Sequence, residues 1–135
     1  MKPGTLLILT ALLAGCGSST EPERGSLDLF TTASAYAPGE PIEVTVVNRT
    51  PTTVMIMQCK NRMALAVQKL VNGSWTSVAG SDCADSNETP IEPAANLSEF
   101  RVIADPGQYR FIIYGRAEAD DFGSLDATSN SFTIE

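Results

Sequence analysis

Histidine is absent from the whole 135-residue chain. Its absence excludes Ser-His-Asp and Cys-His catalytic arrangements, and it removes a common ligand of zinc and non-haem iron sites. Glycine-rich phosphate-binding motifs are missing too, because the glycines at positions 73, 80, 107 and 115 are isolated at turns and strand ends. The sequence therefore predicts a protein that is not an enzyme and that holds no metal and no cofactor.

Long hydrophobic runs are scarce. The apolar run of residues 6–14 has nine residues, whereas a helix that crosses a bilayer needs about 20. A positive charge at Lys2 precedes this run, and the small residues Ala14 and Gly15 follow it, which is the order of an export signal. We therefore expect residues 1–15 to be a signal peptide.

The cysteine that follows this signal has a specific context. Residues 13–16, Leu-Ala-Gly-Cys, resemble the lipobox of bacterial lipoproteins. The resemblance implies that Cys16 carries diacylglycerol and that the chain is cut just before it. Two acyl chains suffice for stable anchoring, so the expected location is the bacterial cell envelope, on a membrane and facing out of the cytoplasm. A free or disulfide-bonded Cys16 beside an ordinary cleavage site is the alternative.

The rest of the chain divides into a tether and one domain. Residues 17–26, GSSTEPERGS, contain no large apolar side chain, so together with the lipidated Cys16 they form a flexible linker with a reach of about 17 Å. Residues 27–135 are long enough for a single domain with its own core. The net charge of −7 disfavours nucleic acid as a partner, because phosphate backbones repel an acidic surface.

Hydrophobic residues in the domain alternate with polar ones, which is typical of half-buried strands. Turn sequences separate the alternating stretches. These stretches predict strands at residues 27–32, 41–47, 53–60, 64–71, 74–78, 97–103, 109–115 and 131–135. Seven or eight short strands separated by turns indicate an all-β, antiparallel β-sandwich.

A type I′ turn at Asn72-Gly73 sets the register of one hairpin. It places Leu70 opposite Trp75 and Val67 opposite Val78. Trp75 is interpreted as a packing residue, with an exposed ligand-stacking role as the alternative.

The segment DPGQY resembles the tyrosine corner of immunoglobulin-like domains, with Asp105, Gly107 and Tyr109 in the D-x-G-x-Y spacing. The resemblance implies an Ig-like sandwich in which the Tyr109 hydroxyl bonds to upstream backbone. Phe111 stands where an antibody domain has its second cysteine. The inter-sheet disulfide of antibodies is therefore not expected.

Residues 36–50, YAPGEPIEVTVVNRT, are similar to bacterial Ig-like domains of the group related to a Bacillus intracellular proteinase inhibitor. The leading hypothesis is a non-catalytic binding or structural domain displayed on its tether, with an envelope protein, a glycan or a peptidase as partner. The resemblance adds inhibition of a proteinase as the alternative function.

Lipidation of Cys16 leaves Cys59 and Cys83 as an even pair in an oxidising compartment. We expect a disulfide between them that attaches the acidic loop of residues 80–90 to the sheet. Two free thiols in a redox or metal site are the alternative. The acidic stretch 118–126, with Asp120, Asp121 and Asp126, is interpreted as a solvated loop, because it lacks the alternating order of a calcium loop.

Replacing Cys16 tests the anchor. The Cys16→Ser variant should leave the membrane fraction, since residues 6–14 are too short to span a bilayer and no acyl chain would remain. Fractionation and intact mass spectrometry measure this, and wild-type protein should carry at least two acyl chains on Cys16. An unmodified Cys16 in membrane-bound wild type would contradict the assignment.

Overall fold

The computed structural model describes residues 25–81, 83–118 and 124–135. The expected signal peptide, Cys16 and most of the tether lie outside these residues, as do Asp120 and Asp121. Over the described ranges, no helix is long and apolar enough to cross a membrane.

The described residues form thirteen β-strands. In chain order they are β1 (Leu27–Thr31), β2 (Ala35–Tyr36), β3 (Pro41–Asn48), β4 (Val54–Cys59), β5 (Arg62–Met63), β6 (Leu65–Val71), β7 (Ser74–Ala79), β8 (Ser86–Ile91), β9 (Asn96–Val102), β10 (Gly107–Ile113), β11 (Gly115–Ala117), β12 (Ala127–Thr128) and β13 (Phe132–Ile134).

Three sheets contain these strands. The first has the order β1-β3-β9 and is antiparallel. The second has the order β2-β13-β10-β6-β7, with β12 also paired to β10 and β2 running parallel to β13. In the third, β11, β5 and β8 all pair with β4. The inner faces of the sheets share one hydrophobic core, so the predicted all-β sandwich is confirmed.

Five strands were not predicted: β2, β5, β8, β11 and β12. β8 occupies residues 86–91, so the prediction of a loop over residues 80–90 is wrong for its second half. The sequence SNETPI lacks apolar alternation, and only Ile91 of this strand is buried. Its conformation follows from pairing along the whole of β4, which a local pattern does not reveal. Likewise, β11 and β12 lie within residues 115–128.

The core is built from alternate residues of the long strands. Ile42, Val44 and Val46 of β3 are completely buried, as the period of two predicts. In the second sheet, the ring of Phe132 packs against the rings of Tyr36, Tyr109 and Phe111, with centroid distances of 5.7, 6.2 and 5.1 Å. Burying each such side chain contributes roughly 1.5–3 kcal/mol relative to leaving it exposed.

The hairpin between β6 and β7 follows its turn chemistry in part. Asn72 and Gly73 have φ angles of 50° and 78°, which a type I′ turn requires. Leu70 pairs with Trp75, as predicted. Further from the turn the register shifts between Val67 and Gln68, so Val67 pairs with Ala79. The predicted pairing with Val78 is wrong, because a β-bulge adds one residue to β7.

The connection from β3 to β4 is organised by one buried amide. Asn48 is fully buried, and its Nδ2 donates to the carbonyls of Thr52 and Ile91, at 2.8 Å each. Its Oδ1 accepts from the backbone N–H and the hydroxyl of Thr50, at 2.9 and 2.7 Å. The Asn48 N–H donates to the Ala95 carbonyl. One residue therefore joins β3, the crossover of residues 49–53, β8 and the turn before β9.

The DPGQY segment lies at the start of β10. The Tyr109 hydroxyl donates to the Asp105 carbonyl at 2.9 Å, and Tyr109 itself is buried. Lys69 Nζ contacts Asp105 Oδ2 at 2.6 Å and lowers the pKa of that carboxyl by its hydrogen bond and charge. Gly107 adopts a φ of 149°, which disfavours a side chain there. These contacts join the turn before β10 to the adjacent strand β6.

Removing the Asn48 amide should destabilise the domain. We expect the Asn48→Ala variant to lose about 2–4 kcal/mol of unfolding free energy, because buried carbonyl and N–H groups lose their partners. Chemical denaturation measures the change. Asn96→Ala is the matched control, since Asn96 is exposed and its replacement should change stability by less than about 0.5 kcal/mol. An equal effect of both variants would contradict the role of Asn48.

Candidate functional site

A disulfide joins the end of β4 to the segment before β8. Cys59 and Cys83 are bonded, with their Cα atoms 5.9 Å apart, so the predicted bridge is confirmed and the reading as two free thiols is wrong. Cys59 also pairs with Ser86 of β8 and with Arg62 of β5. The bridge therefore attaches the chain beyond β7 to the sheet at the point where β8 begins.

The hairpin next to the bridge is tight. Lys60 and Asn61 connect β4 to β5 with φ angles of 50° and 64°, and both side chains are exposed. Because Cys59 precedes this turn, the disulfide holds its base. The turn is therefore presented to solvent from a fixed position.

A groove of about 220 Å³ lies beside the disulfide. It runs between β5, the end of β7 and β9. Its lining consists of one cystine residue, two arginines, three apolar residues and two small residues: Cys59, Arg62, Arg101, Met63, Ala64, Leu65, Gly80 and Ser81.

The two arginines that line this groove both lie close to the carboxylate of Glu99. The Glu99 carboxylate forms an ion pair with Arg101 Nη1 and accepts a hydrogen bond from the Met63 N–H at 2.8 Å. Arg101 Nη2 donates to the Met63 carbonyl. At the mouth, Arg62 Nη2 donates to the Phe100 carbonyl at 2.7 Å, and its Nε lies 4.0 Å from Glu99 Oε1. We call Arg62, Met63, Glu99 and Arg101 the charged seam.

The charged seam replaces a missing backbone ladder. β9 lies at one edge of the first sheet, and β5 pairs with β4 instead of β9. The side chains of Glu99 and Arg101 bond to both backbone polar groups of Met63, which is itself buried. The two sheets are thereby joined at this edge without a shared strand pair, and the longer side-chain bridge leaves room for the groove.

Burial shapes the electrostatics of the seam. Burial lowers the pKa of the Arg101 guanidinium, the charge of Glu99 raises it, and the charge of Arg62 lowers it further. The Arg101 and Glu99 side chains are only 18% and 16% exposed, whereas that of Arg62 is 59% exposed. One carboxylate thus faces two cations, of which one is largely desolvated.

The position of the groove relative to the chain entry follows from strand register. Asn48 pairs with Leu27, the first residue of β1, and Ile42 pairs with Arg101 of the seam. Six residues of β3 separate these two levels, which corresponds to about 20 Å along the strand. The groove therefore lies well away from the end of the sandwich at which the chain enters.

Two other residues singled out in the sequence, Asp126 and Trp75, do not form a binding site with other side chains in the described part of the chain. Asp126 accepts a hydrogen bond from Ser124 at 3.3 Å. Over these residues no group of three or more His, Cys, Asp or Glu side chains is placed to hold a metal ion. Trp75 is half-buried, with the Arg110 guanidinium 4.4 Å from its ring centre, so at least part of its surface is occupied by packing.

Sequence reasoning missed the charged seam, although a signal was present. Leu97, Glu99 and Arg101 alternate in β9, so the two charged residues share the inward side with a leucine. Charged side chains at inward positions of an edge strand are unusual, and they are one of the features by which proteins prevent pairing with other chains at a sheet edge.

Comparison with known proteins supports the fold. No family model matches the sequence, and no curated protein matches it. The neutral ceramidase from Pseudomonas aeruginosa is similar with a TM-score of 0.52 and 19% identity, over 82% of this chain and 19% of that chain. A structure of ceramidase complexed with C2 gives the same TM-score and identity, over 82% of this chain and 18% of that one. The chain thus spans less than a fifth of the ceramidase, and the likeness concerns the fold alone.

Reducing the disulfide should loosen one region of the site. We expect a loss of about 2–4 kcal/mol of unfolding free energy, because reduction frees the unfolded chain from a loop closure. Hydrogen exchange should show protection falling first at Ser86 and Asn87, which pair with β4 beside Cys59. Protection should persist in β3 and β10, whose core residues do not contact the bridge.

The Cys59→Ser/Cys83→Ser double variant is the control and should match the reduced wild type. A loss of protection spread evenly over all strands would show instead that the bridge supports the whole fold.

Proposed function

We propose that this protein is a non-catalytic binding module of the bacterial cell envelope, held at a membrane by lipid on Cys16 and displayed on the tether of residues 17–26. The lipobox-like sequence supports the anchor, and the confirmed disulfide fits an oxidising compartment. The function assigned to the domain is recognition of a partner at the groove beside this disulfide.

The observation that carries the proposal is the location of the groove. It lies about 20 Å along β3 from the level at which the chain enters the sheet. A tether that joins the domain at Leu27 is therefore attached at the opposite end of β3 from this surface. Loops and edges carried on a rigid sandwich are the usual recognition surfaces of such domains.

Inhibition of a proteinase is a second candidate, favoured by one feature. The exposed turn at Lys60 and Asn61 is held at its base by the disulfide. A turn that is already rigid loses little conformational entropy when it enters an enzyme cleft. A lysine at the tip would suit a peptidase that accepts a basic side chain.

Site-specific photo-crosslinking in intact envelopes tests the proposal. A crosslinking residue at position 81, in the groove, should capture a partner, because this position faces the groove. The same residue at position 98, exposed on the outer face of β9, is the matched control and should capture much less. Equal capture at both positions, or none at position 81, would contradict recognition of an envelope partner at the groove.

The identity of the captured partner separates the two functions. A peptidase that the purified protein inhibits, with inhibition lost in Lys60→Ala, would favour the inhibitor. Capture of a different envelope protein or of a glycan would favour the display module.

A further inference from the structure

The charged seam carries more positive than negative charge. Two guanidinium groups, those of Arg62 and Arg101, face the single carboxylate of Glu99. Among the described residues that line the groove, none is acidic. This local excess stands out in a chain with 9 basic and 16 acidic residues.

The two arginines have different freedom. Arg101 is tied to Glu99 and to the Met63 carbonyl, so it acts as a fixed charge behind the groove. Arg62 is more than half exposed, and its hydrogen bond within the described residues goes from Nη2 to the Phe100 carbonyl. A guanidinium has five N–H donors in a planar fork, so the geometry of Arg62 suits an additional acceptor at the mouth.

The walls of the groove suit a short organic stem. Met63, Ala64 and Leu65 form an apolar side, and Gly80 and Ser81 bring backbone at the other side. The volume of about 220 Å³ lies below the roughly 300–1,000 Å³ that is typical of pockets for drug-sized ligands. This is room for one side chain or one chain terminus, and it is too small for a folded element.

We propose that this groove binds a carboxylate of an extended peptide, with Arg62 as the direct ligand and Arg101 as the fixed positive charge behind it. An arginine recognises a carboxylate through paired, charge-assisted hydrogen bonds. Arg62 and Arg101 share one carboxylate, that of Glu99. Burial and the nearby charge of Arg62 both disfavour the charged form of Arg101. A bound carboxylate would supply a second negative charge to balance the two guanidinium groups. This proposal names a ligand class for the groove, and it rests on the proposed function of that groove.

The test is a titration of the purified full-length protein, followed through the Nε–Hε NMR signals of its arginines. The probes are four short peptides with blocked N-termini. One ends in a free carboxylate and its pair in an amide, while another amidated pair carries either Glu or Gln at an internal position. We expect saturable shifts of the Arg62 signal with a carboxylate-bearing peptide and at least tenfold weaker binding of its uncharged counterpart.

Two variants locate the ligand. Arg62→Gln should weaken binding at least tenfold, and it should leave the fold intact because Arg62 is exposed at the mouth. Arg49→Gln is the matched control: Arg49 is 61% exposed and paired with Asp28, and its replacement should leave affinity unchanged. Arg101→Lys keeps the fixed charge and should weaken binding less than Arg62→Gln does.

The outcomes distinguish the source of the carboxylate. Binding of the free-terminus peptide alone assigns a chain terminus, and binding of the internal glutamate peptide alone assigns an acidic side chain. No saturable shift with either one, unchanged affinity in Arg62→Gln, or equally tight binding of inorganic phosphate would overturn the proposal. Carboxylate binding without crosslinking at position 81 in envelopes would support the carboxylate site and reject the proposed recognition of an envelope partner. Crosslinking at position 81 without carboxylate binding would support partner recognition and reject the carboxylate site.

Discussion

The buried amide of Asn48 organises the crossover from the first sheet to the third. At this residue the chain leaves the first sheet and crosses to the third, and backbone groups of Thr50, Thr52 and Ile91 lie within hydrogen-bond distance of the buried amide. Asn48 satisfies them because one side chain supplies two donors and two acceptor positions, and all are used. Aspartate lacks the donors and leucine lacks both. By binding the Ile91 carbonyl, the same amide also holds the end of β8 that pairs with Val54 of β4.

A second principle operates at the edges of the sandwich, where side chains replace backbone pairing. On one edge, Glu99 and Arg101 bond to both polar groups of Met63. On another, the Asn130 amide accepts from the Thr31 N–H and donates to its hydroxyl, at 2.8 Å each. Such bridges supply hydrogen-bond partners to backbone groups at strand edges, which are otherwise prone to pair with other chains. The groove lies beside one of these bridges, the charged seam.

The disulfide and the seam act together on the candidate site. The bridge attaches the segment after β7 to the end of β4, while the seam connects β5 to β9, so the groove has fixed walls on both sides. A preformed site of this kind loses little entropy on binding. The similarity to part of a ceramidase extends to the fold, at 19% identity, and a shared sandwich hosts many unrelated functions. The proposed binding role is therefore supported by this chain's own groove and charges.

The class of fold, most strand positions, the hairpin at Asn72 and the pairing of Cys59 with Cys83 could be predicted from the sequence, because alternation, turn residues and cysteine count are local or combinatorial signals. The strand at residues 86–91, the register shift at Val67 and the meeting of Arg62 with Glu99 and Arg101 became visible in the folded chain. A polar strand such as β8 forms through backbone hydrogen bonds to its partner strand β4. These bonds leave no pattern in the side chains of β8. Likewise, the charged seam joins residues more than thirty positions apart, and their proximity follows from sheet packing and from no pattern along the chain.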